Sequence, residues 1–323
     1  METRDFLSIR DLSPGEMEYL LLLGRQIKAR PSSCRDALLG KTLAMIFEKP
    51  SLRTRVSFDV GIHQLGGFPL YLSPAEVHLG KRESIHDVAR NLERMVQAVV
   101  IRTFAHEIVE EMAACCGIPV INGLTDFSHP CQAMADYLTI WEVKGRVRNV
   151  KVAFVGDGNN VAHSLLFGGA QLGADVRIAS PPGYEPKPEA IAWALQRASQ
   201  TRAKVTVTND PGEAVAGADI VYTDVWTSMG RESEAQERRQ VFRPYQVNSE
   251  LFARAKPDAL FMHCLPAHRG EEVTTDVINS DHSVVFQQAE NRLHVQKAIL
   301  IELMKGMSLG TILPAESPEL VAA

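Results

Sequence analysis

The feature that most constrains the fold of this chain is a repeated pattern in which a short apolar run leads into a polar cluster. Six such runs occur among the 323 residues, and segments with helical spacing separate them. Alternating helices and near-continuous apolar strands are typical of parallel sheets covered on both faces. The apolar runs are residues 43–47, 96–101, 118–121, 152–155, 220–222 and 260–262.

The polar clusters that follow these runs predict a ligand site. In open α/β sheets, ligands bind outside the carboxyl ends of the strands. The clusters are residues 51–55, 102–103, 129–132, 157–160, 224–230 and 263–266. The predicted helices are about residues 14–29, 53–65, 85–94, 106–115, 130–144, 188–200 and 291–305. We expect two domains with a boundary near the helix over 130–144, and a loosely ordered tail after residue 306.

Charge and cysteine content narrow the class of protein. The net charge is −5, so no basic surface is implied and nucleic acid is not an expected partner. Five scattered cysteines without framework spacing fit a reducing cytosol. The longest apolar stretch near the N-terminus, residues 19–23, is flanked by Glu18 and Arg25. We therefore expect neither a signal peptide nor a membrane span.

The first cluster combines a predicted helix start with hydroxyl and guanidinium groups. Free backbone N–H groups and the helix dipole favour an anion there. Ser51 and Thr54 add hydroxyl donors, and Arg53 adds a planar fork that suits phosphate. An ordinary helix cap with solvated arginines is the alternative, but the run Ser-x-Arg-Thr-Arg favours phosphate. The nucleotide P-loop motif does not occur.

Two further strand-end residues have both a structural and a functional interpretation. Arg102 either marks the exit of its strand to water or belongs to the site. His129 directly precedes Pro130, which begins a predicted helix. The positive end of that helix disfavours imidazolium, so His129 should be neutral and able to donate to a carbonyl oxygen. Gln132 offers an amide in the same turn, although His129 alone could simply cap the helix.

The segment after the fourth apolar run has part of a dinucleotide fingerprint. Gly156 and Gly158 fit G-x-G, but Val161 stands where a third glycine is expected. The next predicted strand, residues 176–179, ends in serine and proline rather than in an acidic residue. We therefore disfavour NAD binding, and an NAD-dependent dehydrogenase remains the rival from another class.

The last two clusters suit an amino-acid substrate better than a metal. Asp224 can bind an ammonium group, and Ser228 with nearby backbone N–H groups can bind a carboxylate or an amine. A simple turn is the alternative for Asp224. His263 and Cys264 should point in opposite directions on an extended chain, which argues against a Cys/His nucleophile pair. Zinc is not expected, because these residues and His268 have no further ligand at metal spacing.

Taken together, the motifs resemble those of the aspartate/ornithine carbamoyltransferases. Residues 47–55 (FEKPSLRTR) resemble the carbamoyl phosphate motif, and residues 129–132 (HPCQ) resemble the second signature. Asp224 with residues 228–230 (SMG), and residues 263–266 (HCLP), resemble the ornithine branch. The similarity extends over about residues 5–306. It implies an α/β fold of two doubly wound parallel-sheet domains of similar build, linked by helices, with the active site in the cleft between them.

The resemblance also implies site residues, and no metal or organic cofactor. The catalytic residues would be Arg102, His129, Cys264 and Asp224. Ornithine would be bound by Asn160, Asp224, Ser228 and Met229. Carbamoyl phosphate would be bound by Ser51, Leu52, Arg53, Thr54, His78, Arg102, His129, Pro130, Cys131, Gln132, Cys264, Leu265 and Arg292.

Two residues depart from the family pattern. Leu52 stands where many members have threonine, so one hydroxyl donor is absent and the backbone N–H remains. His78 occupies the position of a glutamine that reaches carbamoyl phosphate from a neighbouring subunit. The contribution of His78 to the site is therefore open.

The implied activity is transfer of the carbamoyl group from carbamoyl phosphate to the side-chain amine of L-ornithine, giving L-citrulline and phosphate. Arginine biosynthesis, a cytoplasmic location and a homotrimer or higher homo-oligomer are expected with it. The implied domains are residues 1–135 with about 291–323 for carbamoyl phosphate, and residues 136–290 for ornithine. The alternative is a carbamoyltransferase for putrescine or an N-acylated ornithine. A non-catalytic relative is disfavoured, because Arg53 and His129 are both present.

Overall fold

The computed structural model describes residues 4–305, which form two compact units. The first unit contains the chain up to Leu138 together with Glu290 and the helix residues after it, and the second is Thr139–Ala289. Both unit boundaries fall inside long helices, Pro130–Lys144 and Val285–Lys305. The predicted tail after residue 306, and most of the expected C-terminal part of the first domain, lie outside the described residues.

The first unit is built on a parallel sheet with the strand order β2-β1-β3-β4. The strands are β1 Thr42–Phe47, β2 Phe68–Leu72, β3 Ala98–Arg102 and β4 Val120–Leu124. Since β2 and β3 lie on opposite sides of β1, the strand order reverses between β1 and β3. A reversal of this kind creates the crevice in which α/β sheets bind ligands. The register places Phe47 beside Arg102 at this point.

Helices cover the first sheet, and the sequence signals that start them are visible. Ser13 caps the first helix: its Oγ accepts from the backbone N–H of Glu16 at 3.2 Å, and the Glu16 carboxylate accepts from the N–H of Ser13 at 2.8 Å. This reciprocal pair is a capping box. The helices are α1 Pro14–Ala29, α2 Leu52–Gln64, α3 Pro74–Val77, α4 Ile85–Leu92, α5 His106–Cys115 and α6 Pro130–Lys144, with 3-10 turns at Ile9–Asp11 and Pro31–Cys34.

The second unit has a parallel sheet with the strand order β7-β6-β5-β8-β9. The strands are β5 Lys151–Val155, β6 Asp175–Ala179, β7 Lys204–Thr208, β8 Ile220–Thr223 and β9 Leu260–His263. The order reverses between β5 and β8, so this sheet has its own ligand-binding switch point. Its core includes Val155, Val221 and Phe261, all fully buried.

The helices of the second unit follow the same alternation. They are α7 Asn160–Leu172, α8 Pro188–Thr201, α9 Pro211–Val215, α10 Ala235–Phe242, α11 Ser249–Phe252, α12 Thr275–Ile278 and α13 Val285–Lys305, with 3-10 turns at Glu232–Glu234 and Arg243–Tyr245. Among residues 4–305, no helix is both long and apolar enough to cross a membrane.

The prediction of two α/β units with parallel sheets is confirmed, and three details were wrong. Strands β2 and β7 were not predicted; both are edge strands with partly exposed side chains, so they lack a continuous apolar run. Helix α13 begins at Val285 rather than near residue 291. Arg102 and His263 are the last residues of β3 and β9 rather than the first residues after them.

Candidate active site

The switch point of the first sheet brings α2 to the carboxyl end of β1. Ser51 is the N-cap of α2, and its Oγ accepts from the backbone N–H of Thr54 at 3.2 Å. The cap leaves the N-terminal N–H groups of α2 at the carboxyl end of the sheet, where the helix dipole favours an anion. Arg53 in the first turn is half-buried, whereas Thr54 is buried.

A buried hydrogen-bond network joins residues from four separate segments around Thr54. The Thr54 Oγ1 accepts from Arg292 Nη2 at 2.8 Å and from Arg102 Nη1 at 3.5 Å. Arg292 Nη1 donates to Gln132 Oε1 at 2.6 Å, and Gln132 Nε2 donates to Asp136 Oδ1 at 2.9 Å. All five side chains are at most 7% exposed. The structure thus assembles four of the predicted phosphate-site residues.

His129 lies in this positively charged environment. Burial holds its pKa well below the ordinary value of 6.5, and the guanidinium groups of Arg292, Arg102 and Arg53 lower it further. The neutral ring that the sequence predicted from the helix start is therefore favoured by burial and by like charge. A neutral imidazole beside three arginines can act as a hydrogen-bond donor without adding charge.

Other predicted residues of the first unit take different positions. Leu52 is 72% exposed on the first residue of α2, so only its backbone faces the helix start. Cys131 is buried and its Sγ donates to the Asn122 carbonyl at 3.5 Å; burial raises the pKa of this thiol to about 12. Pro130 begins α6. His78 is exposed after α3, with a positive φ of 44°, and takes no part in the Thr54 network.

Two residues of this network differ from the prediction. Asp136 was not predicted, and Arg292 was placed near the start of its helix. Asp136 lies one helical turn after Gln132 and accepts its amide hydrogen, so it fixes which amide atom faces Arg292. The four-residue spacing on a predicted helix was the available signal. Arg292 lies within α13 rather than near its start. The Arg292 side chain therefore extends from the interior of a long helix. The rigidity of that helix holds the guanidinium group against Thr54.

The switch point of the second sheet carries Asp224 directly after β8. Asp224 Oδ1 accepts from the N–H of Val225 at 2.8 Å and from Cys264 Sγ at 2.9 Å. Asp224 Oδ2 accepts from Asn159 Nδ2 at 2.9 Å. The carboxylate is 7% exposed. Three donors hold its orientation, as a binding residue for an amine requires.

Asn159 was not among the predicted binding residues, although it contacts Asp224. It is the N-cap of α7: its Oδ1 accepts from the N–H of Val161 at 2.9 Å and from that of Ala162 at 3.2 Å. Its Nδ2 is thereby aimed at Asp224. Asn160, which the sequence predicted, is the first residue of α7 and is half-buried. The two adjacent asparagines at a helix start were visible in the sequence. The sequence did not show which of them caps the helix and contacts Asp224.

Ser228 and Met229 lie on a turn that follows β8. Ser228 is half-buried, Met229 is 42% exposed, and the N–H of Arg231 donates to the Ser228 carbonyl at 3.0 Å. Gly230 has φ of +92°, a conformation that favours glycine at this turn. Ser228 and Met229 are therefore accessible to solvent, and they lie on the same chain segment as Asp224.

His263 and Cys264 have different hydrogen-bond partners, although their side chains do not point in opposite directions as predicted, since their ligand atoms lie within 4.8 Å of each other. His263 Nδ1 accepts from the N–H of Leu265 at 2.8 Å, and His263 Nε2 lies 3.2 Å from Glu272 Oε1. Since Nδ1 is an acceptor, the proton resides on Nε2 and is donated to Glu272. Leu265 has a positive φ of 59°, which this amide hydrogen bond helps to hold. Cys264 instead donates to Asp224.

In the structure, Asp224 lies close to His263 and Cys264 and is a third potential metal ligand. The sequence spacing did not show this. Ligand atoms of Asp224, His263 and Cys264 lie within 4.8 Å of one another. Both ring nitrogens of His263 already take part in the hydrogen bonds described above. The interaction that the geometry favours is therefore the thiol-to-carboxylate hydrogen bond.

Gly158, one of the two glycines of the partial dinucleotide fingerprint, has a packing explanation. A Cβ on Gly158 would lie 2.1 Å from the backbone nitrogen of Pro186 and 2.3 Å from the carbonyl carbon of Glu185. Its N–H donates to the Tyr184 carbonyl at 2.8 Å. Gly158 thus permits a close approach of two chain segments, which removes the main argument for a dinucleotide site.

Comparison with known protein families decides between the remaining classes. Residues 4–142 match the model of the carbamoyl-P binding domain of aspartate/ornithine carbamoyltransferase. Residues 148–303 match its Asp/Orn binding domain. The chain belongs to the aspartate/ornithine carbamoyltransferase family. It is a carbamoyltransferase, and the two matched segments correspond to the two sheets that carry the Thr54 and Asp224 clusters.

Relatives in this family are similar over almost the whole chain. The ornithine carbamoyltransferase of Geobacillus stearothermophilus is 57% identical over 94% of this chain and 98% of its own. That of Thermococcus kodakarensis is 54% identical over 95% of this chain and 98% of its own. The solved structure of the Pyrococcus furiosus ornithine carbamoyltransferase superposes with a TM-score of 0.91 at 54% identity, covering 94% of this chain and 98% of that one.

In this carbamoyltransferase, His129 should remain neutral throughout the physiological pH range. Ring ¹⁵N chemical shifts of labelled protein should show no protonation of His129 between pH 8 and pH 6, about the range in which an ordinary histidine begins to titrate. The substitution Arg292→Gln should raise the pKa, because it removes a like charge. Titration of His129 at 6.5 or above in the parent protein would contradict this electrostatic account.

The same shift has a consequence for stability. The unfolded chain binds a proton on this histidine near pH 6.5, whereas the folded protein excludes it, so the unfolded state binds more protons. The His129 contribution to the free energy of unfolding should therefore be complete above pH 6.5 and decrease as the pH falls below it. Chemical denaturation of the parent and of His129→Asn at pH 7.5 and pH 5.5 isolates that contribution.

Proposed function

We propose that this carbamoyltransferase transfers the carbamoyl group of carbamoyl phosphate to the side-chain amine of L-ornithine, giving L-citrulline and phosphate. The observation that carries the proposal is the buried network in which Arg102 and Arg292 converge on Thr54 beside neutral His129. Cationic donors at a helix start suit a doubly negative phosphate. Relatives at 54–57% identity carry the ornithine carbamoyltransferase name.

The first unit binds carbamoyl phosphate in this proposal. Ser51, Arg53 and Thr54, with the backbone N–H of Leu52, hold the phosphate at the start of α2. Arg102 bridges the phosphate and the carbonyl oxygen. The Oε1 of Gln132 accepts from Arg292 and retains a second lone pair, which suits the carbamoyl NH₂ group. Pro130 and Cys131 contribute the backbone of the α6 start.

Electrostatic stabilisation supplies the catalysis. The neutral side-chain amine of ornithine attacks the carbamoyl carbon, and the carbonyl oxygen gains negative charge in the tetrahedral intermediate. Thr54, Arg102 and His129 donate to that oxygen, and a preorganised donor of this kind contributes about 3 kcal/mol. The network already fixes Arg102 and Thr54 relative to each other, so little reorganisation is needed when the charge develops. The bond between the carbamoyl carbon and the phosphate oxygen then breaks, and the departing phosphate takes up the proton that the attacking amine releases.

The second unit binds the amino acid. Asp224 accepts from the α-amino group, and Asn160, Ser228 and Met229 complete the contacts to the amino and carboxylate groups. The Cys264 thiol donates to Asp224 and is placed to orient the side-chain amine. Leu265 contributes its backbone, which the ring of His263 holds through the amide hydrogen bond.

Two alternatives are weaker on specific grounds. Putrescine lacks the carboxylate that the turn carrying Ser228 and Met229 would bind, and an N-acylated ornithine lacks the charged amine that Asp224 suits. The hypothesis of a dehydrogenase depended on Gly156 and Gly158. It is weaker because packing against Pro186 already requires a glycine at position 158.

We further propose a homotrimer. Apolar side chains spaced four residues apart on α2 are exposed, with Leu52, Val56 and Val60 at 72%, 49% and 38%. Phe68 on the neighbouring edge strand β2 is 64% exposed. Exposed apolar side chains repeated along one face of a helix are typical of a protein interface. In such an assembly His78 could reach the carbamoyl phosphate site of a neighbouring copy.

The cellular setting that we propose is arginine biosynthesis in the cytoplasm. All five cysteines are free, which fits a reducing compartment. A Pyrococcus furiosus relative, 54% identical over 94% of this chain, is named as an anabolic enzyme.

Replacement of Arg53 tests the anion site. Arg53→Ala should lower kcat/KM for carbamoyl phosphate by about 100-fold or more, because a charge-assisted phosphate contact and its field are lost. A colorimetric citrulline assay with varied carbamoyl phosphate measures the loss. Arg94→Ala, at a position 76% exposed in the same unit, serves as the control and should retain parental kinetics. Activity of Arg53→Ala within a few-fold of the parent would refute the assignment.

A substrate panel tests the acceptor. With saturating carbamoyl phosphate, L-ornithine should give the highest kcat/KM, exceeding putrescine and N-acetyl-L-ornithine by about 100-fold or more, because unpaired polar groups in the pocket penalise the analogues. Phosphate release, coupled to a dye assay, reports turnover for every amine. Preference for putrescine or for the acylated substrate would replace ornithine in the proposal.

Sedimentation equilibrium tests the assembly. The parent should sediment as three chains of 35.6 kDa. Val56→Glu places a charge on the exposed apolar surface and should shift the protein toward single chains, because an unpaired charge in an interface is costly. Leu195→Glu, at a position 51% exposed on α8, is the matched control and should not alter the mass. A monomeric parent would end the trimer proposal.

A further inference from the structure

We infer that Arg238 is a positioning residue for the amino-acid substrate: it holds the segment from Trp226 to Glu234, which carries Ser228 and Met229, at the end of β5. This inference rests on the proposed function, because it takes that segment to bind the amino acid. Arg238 lies on α10 and is not among the residues that the sequence motifs single out.

The contacts of Arg238 connect three separate places in the second unit. Nη1 donates to Asp157 Oδ2 at 2.9 Å and to the Trp226 carbonyl at 2.9 Å. Nε donates to Glu234 Oε2 at 2.8 Å. Arg238 is 1% exposed, so the bonds to Asp157 and to the Trp226 carbonyl are buried, whereas the Glu234 side chain is 44% exposed. The planar guanidinium reaches all three acceptors in a geometry that a lysine ammonium on a flexible stem would not reproduce.

Aromatic rings enclose the guanidinium group. Its Cζ lies 5.0 Å from the ring centroid of Tyr184 and 5.7 Å from that of Phe242. The Trp226 ring is 6.2 Å from Phe242, so the same aromatic group also packs against the segment that Arg238 binds. Contacts of a guanidinium with aromatic rings are attractive, and they restrict its orientation.

Both acceptors of Arg238 Nη1 lie close in the chain to residues of the substrate site. Asp157 lies two residues before Asn159, whose amide donates to Asp224. Trp226 lies between Asp224 and Ser228 in the chain. One nitrogen of Arg238 therefore links the loops after β5 and β8, the two strands that flank the switch point. A change at Arg238 acts on both walls of the amino-acid site.

The hydrogen bonds within the turn are local. The N–H of Arg231 donates to the Ser228 carbonyl at 3.0 Å, and the N–H of Gly230 donates to Glu232 at 3.0 Å. These bonds shape the turn, whereas Arg238 joins it to the sheet. The alternative role for Arg238 is ordinary stabilisation, but a buried ion pair adds little net stability once its desolvation is counted. Its fixed geometry is the more specific contribution.

Removal of Arg238 should affect the two substrates unequally. Burial raises the pKa of Asp157 and the Arg238 guanidinium opposes that rise, so loss of the arginine leaves a poorly compensated buried carboxyl beside the amino-acid site. The residues of the Thr54 network belong to the first unit, and among the described residues none of them contacts Arg238. The KM for ornithine should therefore respond, and the KM for carbamoyl phosphate should not.

The experiment uses Arg238→Lys, with each substrate varied while the other is saturating. We expect the KM for ornithine to increase by about tenfold, with the KM for carbamoyl phosphate within about twofold of the parent. Glu234→Gln removes the partner whose side chain is 44% exposed and should not disturb folding; it should raise the KM for ornithine by about two- to threefold. Arg239→Gln changes the next residue, whose side chain is 58% exposed, and should leave all constants unchanged.

The outcomes separate the two proposals. A parent protein that forms citrulline supports the proposed function before any variant is measured, and a parent that forms none overturns both proposals. With an active parent, an unchanged KM for ornithine in Arg238→Lys and in Glu234→Gln overturns the positioning role alone. Equal losses in both KM values, or in kcat alone, would show general destabilisation and would also overturn it. If Arg238→Lys does not fold, Glu234→Gln decides.

Discussion

The rest of the proposed carbamoyl phosphate site depends on the placement of two guanidinium groups around one threonine hydroxyl. Burying like charges together is costly, and the burial of His129 beside them already depresses its pKa. Two hydrogen bonds of Arg292 end on the neutral oxygens of Thr54 and Gln132. These contacts hold the cation in place without cancelling its charge. Asp136 acts indirectly, by accepting a hydrogen bond from the Gln132 amide. The arrangement is thus suited to an anionic ligand, whose charge would offset the repulsion.

The second unit uses the same topology for the opposite charge. Both sheets reverse their strand order, and both place their clusters of polar side chains at that reversal. At the first reversal a helix start and arginines favour phosphate, whereas at the second Asp224 favours an amine. The Asp224 carboxylate accepts from a thiol, an amide and a backbone N–H, so its orientation is set before a substrate arrives. The similar architecture and different side chains explain how one chain binds two unlike substrates.

Much of this arrangement followed from local sequence, and the remainder required contacts between distant segments. The helix starting at Pro130 depends on neighbouring residues, and it was predicted. Strand β7 was not, because its edge position needs no apolar run. The neutral state of His129 was predicted for an incomplete reason, since Arg292 lies 163 positions away in the chain. Asn159 and Asp136 were not predicted, because each acts by orienting another side chain. Asn159 orients Asp224, and Asp136 orients the Gln132 amide.

The departure at Leu52 shows which part of the phosphate motif is chemically required. Its side chain is 72% exposed, so the residue that replaces a hydroxyl carries no polar group into the Thr54 network. The helix start itself is intact, since Ser51 caps the backbone and Thr54 anchors two arginines. Backbone N–H groups are independent of the side chain at this position. The essential donors of the proposed site are therefore main-chain amides and buried guanidinium groups, and the motif tolerates leucine where they are preserved.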